Sequence, residues 1–154
     1  MRAIAVLVAV VAVFAVSVAA EGPRSLFHKA QKATDRADFK TAIESFEKLL
    51  ALPELRDTDR PAALNGLATA YAQSGLQQRA VETFQKLVDL LKARVEERRA
   101  KKKAPDEEDV MILTQSLFNL AYTHDSMGNL PQALAAYEES IRVDRKFAQA
   151  RAAC

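Results

Sequence analysis

The sequence predicts an all-α fold of stacked helical hairpins, and three observations support this prediction. The chain of 154 residues is dominated by Ala, Leu, Glu, Gln, Lys and Arg, which favour helices. Residues that break helices are rare, since the chain contains only 4 Gly and 5 Pro. Three segments also repeat one order of apolar, small and aromatic residues, so we expect about six to seven helices in a repeating arrangement.

The first 20 residues are set apart from the rest of the chain. Arg2 precedes an uncharged apolar run at residues 3–20, which Glu21 ends. An early cation, an apolar run and small residues at its end are typical of a secretory signal peptide, with cleavage after Ala20. The alternative is an uncleaved membrane anchor, because the run is just long enough for a spanning helix.

Charge and cysteine content exclude two classes of protein, those that bind nucleic acid and those stabilised by disulfides within the chain. The 22 basic and 20 acidic residues give a net charge of +2, whereas binding of nucleic acid needs an uncompensated basic surface. Cys154 is the only cysteine, so no disulfide can form within the chain. The folded state must therefore be stabilised by helix packing, and no nucleic-acid partner is predicted.

The repeated order is clearest in the middle segment. There, Ala68 and Tyr71 precede a turn at Ser74-Gly75, and Ala80 and Phe84 follow it. Small residues are needed where two helices approach closely, and aromatic residues fill the space between hairpins. The corresponding residues are Ala121, His124, Met127-Gly128, Ala133 and Tyr137 in the last segment, and Ala30, Ala33, the turn at 36–39, Ala42 and Phe46 in the first.

This order resembles the tetratricopeptide repeat over about residues 24–146. The family usually has Tyr where the first segment has Ala33 and the third has His124. The resemblance implies a solenoid of helical hairpins that binds a protein or peptide in a concave groove.

We predict one repeat domain at residues 21–154, with repeats at about 23–56, 61–103 and 106–146 and the start of a capping helix at 147–154. Apolar periodicity extends the helix that contains Leu87 to about Lys103, with a break at Ala104-Pro105. The next helix is expected to begin early, at 106–109. These two long helices would form a hairpin that protrudes from the stack.

No catalytic, cofactor or metal site is predicted. His28 and His124 lack ligand partners in the pattern, and no nucleophile is placed beside a base. The basic residues at 98–103 are followed by acidic residues at 106–109. We interpret the two runs as charges that complement the ends of successive helices. The alternative interpretation is a docking patch for an anionic partner.

The resemblance places the partner-binding surface on the first helix of each hairpin. Phe118 and Tyr122 on one exposed stripe favour a contact patch over an ordinary solvated surface. The candidate residues are Phe27, Gln31, Asn65, Thr69, Gln115, Phe118, Asn119, Tyr122 and Asp125.

The sequence therefore predicts a non-catalytic adaptor or assembly subunit of an exported compartment, either extracellular, periplasmic or within the secretory pathway. One alternative is the recognition module or a fragment of a larger exported enzyme, and another is a structural subunit anchored in a membrane by residues 3–20. We also expect an exposed apolar flank around Leu134, Tyr137 and Ile141, because repeat stacks need a terminal cap. Self-association through the last hairpin follows, with Cys154 able to cross-link two copies.

Overall fold

The computed structural model describes residues 21–152, and their side chains as far as residue 149. Within this range the chain is all-α and contains no strand, as predicted. No helix in the range is long and apolar enough to cross a bilayer. The predicted signal or anchor segment at residues 1–20, as well as Cys154, lies outside the described residues. The helices are α1 (Pro23–Asp35), α2 (Phe39–Ala51), α3 (Arg60–Gln73), α4 (Gln77–Ala100), α5 (Glu107–Ser126) and α6 (Leu130–Ala152).

The six helices form three hairpins, whose turns the sequence specifies. Gly75 and Gly128 end α3 and α5 in the left-handed region, with φ of 81° and 76°. Glycine adopts this conformation without steric cost, which explains its place after a helix. Ala37 occupies the equivalent position after α1 with φ of 57°. The first turn therefore has the same shape as the others but is built without glycine.

The hairpins stack in chain order. Each helix packs against the next one along the chain, and α1 also contacts α3 while α3 contacts α5. The first helices of the three hairpins therefore line one side of the stack. Short turns between the two helices of each hairpin make them antiparallel.

Small residues are buried where helices approach most closely. Ala68, Ala80 and Ala121 have no exposed surface, and Ala133 is only 3% exposed. A separate cluster of Ala33, Ala42 and Ala70 lies where α1, α2 and α3 meet. Burial of the alanines in all three hairpins confirms the predicted register of the repeated pattern.

The long hairpin between α4 and α5 is anchored to the rest of the fold more firmly than its predicted protrusion implies. Arg94 pairs with Asp109 at 3.2 Å and also donates to the carbonyl oxygen of Asp57 in the α2–α3 linker. The helix α4 ends at Ala100 rather than near Lys103. It ends early because Lys102 turns left-handed and the N–H of Lys103 donates to the carbonyl of Arg98 at 2.9 Å, which satisfies a terminal carbonyl.

The last helix differs from the prediction. No turn occurs before residue 147, and α6 continues from Leu130 to Ala152, so residues from 147 onward prolong it instead of starting a capping helix. The physical reason is that no Gly or Pro follows Pro131, and the Ala, Arg and Lys residues of this stretch favour helix continuation. The second half of α6 consequently lies beside the first half of α5, where Ser140 donates to the carbonyl of Thr114 at 3.1 Å.

Candidate protein-binding groove

A cavity of about 560 Å³ opens between α1, α3 and α5, on the side lined by the first helices. Phe27, Gln31, Asn65 and Thr69, four of the candidate groove residues, line it together. Ile112 of α5 completes the wall. We call this cavity the inner cavity. It places the predicted groove residues of the first two hairpins at one site.

The floor of the inner cavity is aromatic. The rings of Phe27 and Phe46 meet edge to face, with centroids 6.0 Å apart. Gly66 lies directly over Phe46, so that a Cβ atom on Gly66 would stand 2.3 Å from the ring Cζ. Glycine is required here because a larger side chain would collide with the ring of Phe46. Its helical backbone conformation alone would suit other residues. The pattern did not single out Gly66 for this role, and only the contact with Phe46 reveals it.

A second, larger cavity of about 990 Å³ lies between α3, α5 and the prolonged end of α6. Two predicted groove residues, Asn65 and Gln115, line it. Its apolar lining comes from residues that the pattern did not select, namely Val110, Met111, Ile112, Phe147 and Ala148. We call it the outer cavity. Phe147 could not have been placed there from sequence, because the prediction assigned it to a separate helix.

The two cavities adjoin one another, because Asn65 and Ile112 line both, and we call them together the concave channel. Along this channel, Asn65 Oδ1 and Thr114 Oγ1 are buried without a hydrogen-bond partner among the described residues. A buried polar atom without a partner costs about 1–3 kcal/mol. A rotation of either side chain toward the channel would present the atom to a bound segment that offers hydrogen-bond donors and would remove that cost, which makes these two residues candidate recognition points.

The remaining predicted groove residues lie away from these two cavities. Phe118 and Tyr122 are 49% and 63% exposed, and Phe118 instead contacts Tyr137 of α6 with ring centroids 5.4 Å apart. Asn119 accepts a hydrogen bond from Gln115 at 3.0 Å, and Asp125 is exposed near the end of α5. The structure therefore divides the predicted surface into a concave channel and an aromatic patch near the last turn.

The basic run at the tip of the long hairpin is partly neutralised locally. Lys101 pairs with Glu97 at 2.6 Å, and Arg99 pairs with Glu96 at 3.6 Å. The hydrogen bond from Lys101 holds the pKa of Glu97 below its usual value. Arg98 donates to the carbonyl of Ala104 at 2.8 Å, across the turn. These contacts favour the interpretation of charges that complement a helix end.

Tyr71 and His124 occupy equivalent positions but have different surroundings. The hydroxyl of Tyr71 donates to Glu47, and burial raises the pKa of Tyr71, with Glu47 adding to the effect. His124 is half-buried, and its Nδ1 has no partner among the described residues. In residues 21–152, no group of three His, Cys, Asp or Glu side chains is placed to hold a metal ion.

Comparisons with known proteins place one repeat by sequence. A family model described as tetratricopeptide repeat matches residues 114–147. The photosystem I assembly protein Ycf3 of Synechococcus sp. (strain CC9902) is 37% identical over 57 residues, which are 37% of this chain. The aligned stretch spans 32% of that relative, about a third of its length. The crystal structure of MamA protein aligns with a TM-score of 0.39 and 22% identity, covering 83% of this chain and 76% of that one.

The matched range begins within α5 and ends within α6, so it contains the turn at Gly128 and the buried Ala121 and Ala133. The sequence match and the hairpin geometry agree in register. They identify residues 114–147 as a tetratricopeptide repeat and confirm the resemblance inferred from the repeated pattern.

Proposed function

We propose that this chain is a non-catalytic adaptor or assembly protein that holds a segment of a partner protein in the concave channel. The observation that carries the proposal is the pair of unsatisfied polar atoms, on Asn65 and Thr114, beside an apolar lining. Ligand sites in proteins combine these features, because apolar walls provide affinity and a few polar groups fix orientation. The relative Ycf3 is itself an assembly protein, which is consistent with this class of function.

The residues that line the channel indicate which kind of partner segment it can bind. Met111, with 68% of its surface exposed, and Ile112 offer apolar contacts in the outer cavity. Asn65 Oδ1 accepts hydrogen bonds, so a backbone N–H of the partner is a suitable donor. We therefore propose a partner segment with apolar side chains on one side and free backbone donors near Asn65.

Site-specific photo-crosslinking in cells tests the channel. A photoreactive amino acid at Met111 should capture a discrete partner, whereas the same group at Lys86, exposed on α4, should not. Replacing Asn65 with Leu should reduce the crosslinked product at least fivefold without lowering the melting temperature. Equal capture from both positions, or capture unaffected by the Asn65 substitution, would contradict the proposal.

We further propose that the protein acts in an exported compartment, on the strength of the signal-like pattern at residues 1–20. N-terminal sequencing of the protein from its native host should find Glu21 as the first residue. Recovery of intact Met1 in a membrane fraction would instead favour the anchored alternative.

A further inference from the structure

The long hairpin contains helical turns that the earlier helices lack. In the repeat register, the end of α2 corresponds to residue 89 of α4, and the start of α3 corresponds to residue 113 of α5. The equivalent positions that define this register are Phe46 with Phe84 and Tyr71 with His124. Residues 90–100 and 107–112 therefore have no counterpart in α2 and α3. We call these two stretches together the hairpin extension.

The hairpin extension builds most of the apolar wall of the outer cavity. Val110, Met111 and Ile112 line this cavity and belong to the extension. All three precede residue 114, where the match to the tetratricopeptide repeat begins. A hairpin of the length of the first one would leave this side of the cavity open. The outer cavity is therefore a feature that the extension adds to the repeat.

One side chain ties the two parts of the extension together. Arg94, in the α4 part, donates from Nη1 to Asp109 Oδ1, in the α5 part, over 3.2 Å. Its Nη2 donates to the backbone carbonyl of Asp57, in the linker between α2 and α3. Arg94 thus connects the wall of the outer cavity to the segment that joins the first two hairpins.

The burial of this ion pair distinguishes it from the others. The side chains of Arg94 and Asp109 are 23% and 16% exposed, which makes them the most buried ion pair among the described residues. Exposed pairs contribute little because water screens them, whereas separation of a partly buried pair leaves each charge without a partner. The planar fork of arginine also fixes the relative orientation of the groups that it binds, which non-directional apolar contacts do not.

We propose that Arg94 is a positioning residue of the concave channel. By holding Asp109 and the carbonyl of Asp57 together, it fixes the first turns of α5 where Met111 and Ile112 form the wall of the outer cavity. This inference rests on the proposed function, because it assigns Arg94 to the binding of the same partner segment. A wall that is ordered in advance binds more tightly, since no free energy is spent on ordering it when the partner arrives.

Hydrogen exchange of the full chain tests this role without any partner. Arg94→Met keeps an unbranched apolar side chain but removes both donors. Backbone amides of residues 110–115 should exchange about tenfold faster, because local opening becomes easier, while the amides of α1 and α3 keep their rates. The control is Arg99→Met, which removes a cation of the same helix from an exposed pair with Glu96. It should leave all rates unchanged.

Photo-crosslinking distinguishes positioning of the wall from a general loss of stability. Met111 lines the outer cavity, whereas Gln31 lines the inner cavity. Arg94→Met should lower capture of the partner from Met111 by about fivefold and leave capture from Gln31 unchanged. A general loss of stability would lower both captures together. Arg94→Lys keeps the charge beside Asp109 but lacks the planar fork, so it should restore capture from Met111 only in part.

Two outcomes would overturn this role of Arg94. One is unchanged exchange at residues 110–115 in Arg94→Met, and the other is equal loss of capture from Met111 and Gln31. Absence of capture from either position in the wild type would contradict the proposed function instead, and the exchange rates would still decide whether Arg94 holds the wall. If Arg94→Met unfolds, the exchange measurement is made on Arg94→Lys, where wild-type rates would count against the role.

Discussion

The middle and last hairpins share one residue pattern but differ in what surrounds them. Phe84 in α4 and Tyr137 in α6 occupy the same place in the repeat, yet Phe84 is 1% exposed and Tyr137 is only half-buried. The difference arises because α5 covers the middle hairpin, whereas no described residue covers the last one. A repeat pattern therefore specifies the shape of a hairpin but not its environment, which depends on the neighbour.

The same comparison applies to polar residues. Tyr71 of the middle hairpin reaches back to Glu47 of the first hairpin, which gives its hydroxyl a partner. At the equivalent place His124 has a buried Nδ1 without one. Buried polar groups contribute to stability only when they are paired. The middle hairpin thus contributes packing and hydrogen bonds in both directions along the stack, and we expect it to be the most sensitive to substitution.

The largest difference in the free energy of unfolding is expected between substitutions at Phe84 and Tyr137, the two equivalent aromatic positions. Phe84→Ala should lower the free energy of unfolding by about 3–5 kcal/mol, because a fully buried ring leaves a cavity. Tyr137→Ala should lower it by about 1–2 kcal/mol, since part of that ring is already in solvent. Denaturant titration of both variants measures the two values. Equal losses would show that the last hairpin is covered in solution.

Enlarging the buried alanines between packed helices should have the next largest effect on stability. Ala80→Leu and Ala133→Leu should each lower the free energy of unfolding by about 1–3 kcal/mol, because the added atoms separate helices in close contact. We expect the greater loss at Ala80, which lies in the middle hairpin, the one that other hairpins cover on both sides. Thermal and denaturant unfolding provide the measurement. Ala135→Leu, at an exposed position in α6, is the matched control and should change little.

The raised pKa of Tyr71 predicts a loss of folding stability at alkaline pH. Its pKa is raised in the folded state, first by burial and then by Glu47, so folding favours the neutral phenol. This contribution is complete below the ordinary tyrosine pKa of about 10 and is lost as the pH rises through the higher folded value. Tyr71→Phe should therefore flatten the decline in melting temperature above pH 10, whereas Tyr122→Phe, at an exposed site, should not. An identical decline in both variants would exclude Tyr71 as its source.

The smallest effect on stability is expected at the basic tip between α4 and α5, where the side chains are exposed to solvent. Replacing Lys101, Lys102 and Lys103 with Gln should not measurably change the melting temperature, because all three side chains are exposed. Capture of the partner by the crosslinker at Met111 should also be unchanged. Loss of capture that returns when the salt concentration is lowered would reveal an electrostatic docking site at the tip.

Much of the architecture could be predicted from the sequence because it depends on local chemistry. Gly75 and Gly128 mark turns since they adopt left-handed backbone at no cost, and Ala80 marks close approach because only a small side chain fits. These requirements act within one hairpin, so the order of residues along the chain is sufficient to recognise them. Four of the predicted groove residues, from α1 and α3, meet at one cavity because the first two hairpins stack, which the resemblance to a repeat solenoid implied.

The features that only the tertiary structure decided are the contacts between hairpins. Phe147 lines the outer cavity because α6 continues as one helix beside α5, and no local signal distinguishes a prolonged helix from a new one. Gly66 is needed because the ring of Phe46, from the preceding hairpin, fills the space where a side chain would stand. Burial depends on which element packs on a surface, and that element belongs to a different hairpin. The sequence alone therefore determined the repeating unit, whereas tertiary packing determined which of its equivalent surfaces became core, channel or exposed face.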